Sequence, residues 1–375
     1  MVSVTRVYLA AEAGQPLSAA AQQARSAAAD TWAEPSLLAH EGRRSATILS
    51  AAVASLASSF GVSTDEVRVF ATRGAAIRAA ALGLGRGPML ISPVERRSAL
   101  AWAAARPDGL ATCRVDREGA IELADWELGL SGTGAAWLQV GNPELGTAQP
   151  VAQAAELATS AGVPLIVDAT MAVGRMPLPT GWQALLADSR SWAGGDGSCV
   201  LIVRRGTPFL NLDGPPEAVQ TGPDRFPGEP CVADVAAAAI GLEWALAGLA
   251  ERFERDVSLT QLIRRRAVDS VRDLVVHGSA SSRLPHVVGM SVLYLDAEAL
   301  LAELDRRGIA VASGSACAAG NGEPSHVLSA TGGLSSGNVR VSLPLTASPE
   351  DVERFLTELP LAVDSVRIAG GVADL

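Results

Sequence analysis

A thiol set among small residues is the first group in this chain with chemistry to offer. Cys317 lies in the run Val311–Leu328, within Ser313-Gly314-Ser315-Ala316-Cys317-Ala318-Ala319-Gly320. A short apolar stretch, Ile309–Ala312, leads in, and Glu323-Pro324-Ser325 opens a helix beyond. Glycines on both sides place the thiol on a loop from which it can reach outward. Such a thiol is a good nucleophile at neutral pH when a cation or a helix N-terminus stabilises the thiolate, and the helix after Pro324 supplies the latter. Without that help it is an ordinary exposed thiol, and both readings stay open. Cys113, Cys199 and Cys231 lie in or near apolar runs, which speaks for packing. The four cysteines form no CxxC or Cys/His metal spacing. His40 and His326 are isolated and read as surface or loop histidines, while Trp32, Trp102 and Trp137 stand at apolar positions and read as core. No Ser-His-Asp, HExxH or phosphate-loop spacing is present.

The elements that must position these groups alternate. Strands are expected at Val67–Ala71, Pro88–Ser92, Ala135–Val140, Pro164–Asp168 and Cys199–Val203. Helices are expected at Leu17–Ala29, Gly42–Phe60, Ala75–Leu84, Glu95–Ala105 and Val151–Ala161. Alternation of this kind builds a mostly parallel sheet covered on both faces. A ligand then binds outside the carboxyl ends of the strands, where Thr72, Ser92 and Asp168 stand. A long helical region, Val232–Leu274, follows, and its charged run Glu251–Arg255 reads as a solvated face. Beyond it a smaller α/β unit is expected: a strand at Val287–Leu295, a helix at Ala297–Arg307, the cysteine loop, a strand at Asn338–Leu343 and a helix at Pro349–Leu359. The boundary falls inside the long helix, giving residues 1–245 and 246–375, with the first 16 or so residues packing on the second unit.

Composition bounds the function. The 375 residues exceed one ordinary core, and 48% hydrophobic residues can fill two. All 30 basic residues are arginine, and the chain contains no lysine. A net charge of −10 argues against nucleic acid or an anionic membrane as partner. No apolar run reaches the roughly 18 residues of a membrane span, and the N-terminus lacks a signal peptide's apolar core. The expectation is a soluble, reduced, cytoplasmic protein.

The cysteine loop resembles that of the cysteine desulfurases, in the class V aminotransferase group of pyridoxal-phosphate (PLP) enzymes. The resemblance extends along nearly the whole chain. Tyr8-Leu9 and Pro16 resemble the family's opening strand and turn. Glu34-Pro35-Ser36 with Gly42-Arg43 resembles Asn-Pro-Ser…Gly-Arg, and Asn142–Pro150 resembles Asn-Asn-Glu-x-Gly-x-x-Gln-Pro. Val167-Asp168-Ala169-Thr170 resembles the strand whose Asp pairs with the cofactor's pyridinium nitrogen. Val339-Arg340-Val341-Ser342 resembles the strand whose Arg holds the substrate carboxylate. The resemblance implies an α/β fold of the fold-type-I PLP-transferase kind, a homodimer with sites at the subunit interface, and Cys317 as a persulfide carrier.

Other positions depart from the family. Its cofactor lysine follows a histidine; here the aligned pair is Arg190-Ser191, and Arg204-Arg205 closes the next strand. A serine cannot form the Schiff base, and no lysine elsewhere can substitute. The phosphate-binding Gly-Ala-Thr reads Gly74-Ala75-Ala76, and a phosphate-binding serine reads Asp188, an acid that repels phosphate. Gly228-Glu229 stands for the partner subunit's Gly-Thr. The stacking histidine is Arg96, the ring-contacting glutamine is Met171, and one paired asparagine is Pro143. The implied outcome is a pseudoenzyme without covalent PLP, acting as a sulfur relay through Cys317 or as partner of an active desulfurase or a sulfur acceptor. Two alternatives remain: a PLP-independent enzyme or anion-binding protein using a pocket lined by Arg96, Arg190 and Arg340, or residual desulfurase activity with non-covalent PLP. In the vacated pocket, either Arg96 pairs with Asp168 as a plug packed by Trp192, or the three arginines stay open to an anion.

Overall fold

A computed structural model describes residues 6–210, 230–314, 325–334 and 336–371. Its largest sheet has seven strands: β2 (Val67–Phe70), β3 (Met89–Ile91), β4 (Leu110–Thr112), β5 (Ala135–Gln139), β6 (Leu165–Asp168), β7 (Ala184–Asp188) and β8 (Cys199–Val203). Their order is β2-β8-β7-β6-β5-β3-β4, and only β8 runs against the rest. Every residue of β5 to β8 is buried, which is why these strands read as continuous apolar runs. Alternate residues supply two cores. Ala136, Leu138, Leu165 and Val167 face α2 (His40–Phe60), α5 (Leu123–Leu130), α6 (Val151–Ser160) and α7 (Val232–Ala247). Ala135, Trp137 and Ile166 face α3 (Arg73–Gly83) and α4 (Arg97–Ala104). The α/β architecture with a mostly parallel sheet is the expected one.

Several elements differ from expectation. β4, β7 and α5 had no counterpart in the sequence reading. β7, Ala-Leu-Leu-Ala-Asp, lacks the β-branched residues that mark strands. The long helix is two helices: α7 ends at Gly248, and α8 (Leu249–Ser270) continues at an angle of 73°. At Gly248 the missing side chain leaves room for the Arg252 guanidinium, which any Cβ would strike. Leu274 belongs not to that helix but to a strand, β9 (Leu274–Val276). The last helix, Pro349–Ala369, passes through Pro360 instead of ending at Leu359, because Ala362 and Val363 are buried on the same face. Trp32, expected in the core, is 79% exposed. No single described helix is long and apolar enough to cross a membrane.

The second sheet is antiparallel, in the order β12-β10-β9, with β10 at Val287–Val292 and β12 at Asn338–Ser342. It packs on α8, α9 (Ala297–Arg306) and the Pro349–Ala369 helix. β1 (Val7–Tyr8) pairs in parallel with β11 (Ile309–Ala310), and Val7 and Leu9 enter this second core. The N-terminal segment then runs across β12: Ala11 N–H donates to Ser342 O at 3.0 Å, and Glu12 N–H to Ser342 Oγ at 2.8 Å. That path carries Glu12 toward the carboxyl ends of the large sheet.

Candidate functional site

β6 delivers Asp168 to the carboxyl edge of the sheet, fully buried. Its Oδ1 accepts from the Thr170 N–H at 2.9 Å and the Thr170 hydroxyl at 2.6 Å. Oδ2 accepts no hydrogen bond. Arg96, the residue just before α4, places Nε 3.9 Å from that oxygen. This is ion-pair range, but too long for a hydrogen bond. Trp192 does not pack this pair as expected. Its indole N–H donates to Ala238 O at 2.8 Å, and its ring meets Phe60 edge-on, on the α7 side of the sheet.

β7 delivers Asp188, also buried. Its carboxylate takes two roles. Oδ1 accepts from the Arg190 N–H at 3.0 Å and starts a 3-10 turn over Ser189–Trp192; Oδ2 meets Arg73 Nε at 2.5 Å. Arg73 is the first residue of α3, after the N-cap Thr72. Burial works against its charge, but Asp188 outweighs this and the guanidinium pKa rises. Sequence reasoning missed Arg73; an acid aligned with a phosphate-binding serine was the signal to look for a neutralising cation. Ser191 Oγ lies 3.0 Å from Asp188 O and 3.1 Å from Val173 O, so its proton is held by backbone carbonyls. Ala76 is wholly enclosed in the core under α3. Met171 is buried against Leu284 and Val287. Arg190 turns to Asp196 at 2.9 Å.

β12 delivers Arg340. Its backbone is bridged to Ala312, and its guanidinium meets Glu12 Oε2 at 2.6 Å. Glu12 Oε1 is 3.5 Å from Arg96. Burial alone would raise the Glu12 pKa, but Arg340, Arg96 and Arg73 together hold it below the usual carboxylate range. Glu12, unmarked in the sequence, therefore joins Arg96 of the large unit to Arg340 of the small one.

These groups border a cleft of about 320 Å³, lined among others by Glu12, Arg73, Arg96, Arg97, Glu144, His326 and Arg340. Arg190 does not line it, so the alternative three-arginine pocket is reduced to Arg96 and Arg340. His326 is no loose surface residue: it begins the His326–Thr331 helix, and its Nε2 is 2.8 Å from Glu95 O. Glu95 is wholly buried. Its Oε1 accepts from the Gln139 N–H at 2.8 Å, and burial, with Asp168 nearby, pushes its carboxyl pKa far up. Glu144 accepts from the Ser325 hydroxyl at 2.5 Å. Gly314 approaches the same carboxylate so closely that a Cβ would lie 3.0 Å from Oε2. The two described ends of the cysteine-bearing segment thus converge on Glu144 at the cleft. Cys317 itself, with Gly228, Glu229, Glu323 and Pro324, lies outside the described residues. Cys113 and Cys199 are buried, and burial drives the Cys113 thiol to about 12. Cys231, expected to be packed, is exposed.

One further side chain ties the site together. Arg175, buried after β6, donates to Ser191 O at 3.0 Å, to Leu343 O at 2.9 Å and to Gln15 Oε1 at 3.3 Å. It also lies 3.6 Å from Asp256 of α8. Burial lowers its pKa to about 10, with Asp256 opposing, so it stays charged at neutral pH.

The sequence profile of the family described as Aminotransferase class-V matches residues 17–355. A cysteine desulfurase of Cereibacter sphaeroides is 31% identical over 384 aligned positions, covering 96% of this chain and 97% of that one. The cysteine desulfurase IscS of Dictyoglomus turgidum is 27% identical, covering 90% and 89%. Among solved structures, a NifS-like protein superposes with a TM-score of 0.85 at 19% identity over 96% of this chain and all of that one (100%). The apo cysteine desulfurase of Thermococcus onnurineus gives 0.83 at 22% identity, over 96% and 95%. At these identities the two structures establish the fold.

Proposed function

The chain belongs to the aminotransferase class-V family, and from that premise we propose that it is a cysteine desulfurase homologue without covalent PLP chemistry that works in sulfur transfer. The observation that carries this reading is Ser191. By the motif resemblance it stands where the family has its Schiff-base lysine, its hydroxyl is held by two backbone carbonyls, and the chain has no lysine to form an aldimine. The surrounding residues do not fit the cofactor either. Asp188 puts a carboxylate, already paired with Arg73, where the family binds phosphate, and Arg96 brings a guanidinium toward Asp168 where the family has a pyridinium.

In this reading the protein is a cytoplasmic homodimer that meets an active desulfurase or a sulfur acceptor, and Cys317 is the working residue. Its thiolate attacks the outer sulfur of a donor persulfide. The donor's S–S bond breaks, the donor thiolate leaves with the electron pair, and Cys317 holds the persulfide with no net redox change. The described residues on either side of the segment, Gly314 and Ser325, both lie against Glu144 at the cleft. Anion binding by open arginines is disfavoured because Arg96 and Arg340 both meet Glu12. Non-covalent PLP is disfavoured by the Asp188–Arg73 pair.

The test is absorbance of the purified protein after incubation with PLP and desalting, together with sulfane-sulfur transfer from a persulfide donor to wild type and Cys317→Ala. A colourless protein that takes up sulfur only through Cys317 is expected. A retained cofactor band, or equal sulfur uptake by both chains, would overturn the reading.

A further inference from the structure

We propose that Glu12 is a built-in ligand: its carboxylate occupies an anion site made by Arg340 and Arg96, and the turn carrying it keeps that site closed to small carboxylates from solution. Two observations lead there. Glu12 gives one oxygen to each guanidinium, at 2.6 and 3.5 Å. All three side chains are largely withdrawn from water, with 9% of Arg340, 12% of Glu12 and 15% of Arg96 exposed. Two cations so enclosed need an anion between them.

The fit is incomplete, and this marks the site as one that a free carboxylate can fill better. A carboxylate docked squarely on arginine takes two parallel hydrogen bonds from the guanidinium fork. Glu12 takes only one from Arg340, whose Nε is buried and has no partner. The geometry of the turn explains the shortfall. The Glu12 backbone is already committed to Ser342, on the same strand as Arg340. The side chain therefore reaches the guanidinium from one end of its fork.

Apart from Glu12 the turn carries no bulky side chain. It consists of Ala11, Glu12, Ala13 and Gly14; Gly14 has φ of 145°, with open space where a Cβ would project. Past Glu12 the cleft of about 320 Å³ leaves room for the remainder of a small molecule, and at its rim stands exposed Arg97. The ligand class is thus a small mono- or dicarboxylate that displaces Glu12 from Arg340.

The inference concerns neither Ser191 nor Cys317, so it stands or falls apart from the reading above. The experiment is chemical rescue of the full chain, with thermal unfolding followed in acetate or malonate against chloride of equal ionic strength. Glu12→Ala is expected to melt below wild type in chloride and to recover saturably in acetate or malonate. Its affinity for malonate by calorimetry is expected to exceed the wild type's by at least about tenfold. The exposed control Glu254→Ala should respond as wild type does. If Glu12→Ala does not fold, Glu12→Gln keeps the shape and removes the charge, and the same gain in malonate affinity is expected. Equal malonate affinity in wild type and variant, or no recovery beyond chloride, would show that Glu12 is a structural ion-pair partner and not a stand-in for a ligand.

Discussion

The carboxyl ends of β6 and β7 and the strand β12 neutralise their buried charges in different ways. On the β7 side, acid and base come from one unit: Asp188 and Arg73 both project from the large sheet and its first covering helix, and they pair at 2.5 Å. On the β12 side, Arg340 has no acid of its own sheet nearby and borrows Glu12 from a small-residue turn, with Arg96 on the far side. The first pair is fixed by two rigid elements. The second depends on a turn of small residues. A charge matched within the scaffold becomes part of the fold, whereas a charge matched from such a turn remains, under the inference above, a site.

Breaking the fixed pair should have the largest effect. Asp188→Ala leaves Arg73 without its partner and the Ser189–Trp192 turn without its cap. A loss of about 3 kcal/mol in denaturant unfolding is expected, and a loss below about 1 kcal/mol would mean that water reaches Arg73 as readily as it reaches the β12 side. Glu12→Ala should cost less, about 2 kcal/mol in chloride, since the turn can yield and admit solvent. Ser191→Ala removes a hydroxyl held by two carbonyls and should cost about 1 kcal/mol by the same measurement.

Acid titration sharpens the contrast. The folded pKa of Glu12 is depressed, so its contribution is fully present above the ordinary carboxylate value and fades as pH falls through the folded value. Wild type should therefore lose more stability on acidification than Glu12→Gln, and parallel loss in both chains would assign the acid sensitivity elsewhere. The smallest expected effect is none at all. Ser191→Lys alone should give no aldimine absorbance with PLP, because the Asp188–Arg73 pair remains. A stable yellow adduct would show that the β7 side is less fixed than its geometry indicates.

How far this arrangement could be read from sequence follows from the range of the interactions. Leu165–Asp168 and Cys199–Val203 announce themselves because a strand covered on both faces needs a nearly unbroken apolar run. The break at Gly248 is silent, since one glycine among Ala and Leu is common inside helices and only the Arg252 side chain reveals its use. Asp168, Arg340 and Ser191 were identified by their motifs. Glu12 was not, because its partner lies 328 residues away and nothing in Ala-Ala-Glu-Ala-Gly signals a buried acid. Arg190 was placed in the pocket by sequence adjacency to Ser191, but a 3-10 turn rotates it out toward Asp196.

Arg175 carries a consequence for how the molecule comes apart. Its one guanidinium reaches the Ser191 turn, the residue that follows β12, the side chain of Gln15 and, through Asp256, the helix α8. Neither unit can melt first without stranding that buried cation. Heat should therefore reveal one cooperative endotherm for both units, where a looser junction would give two.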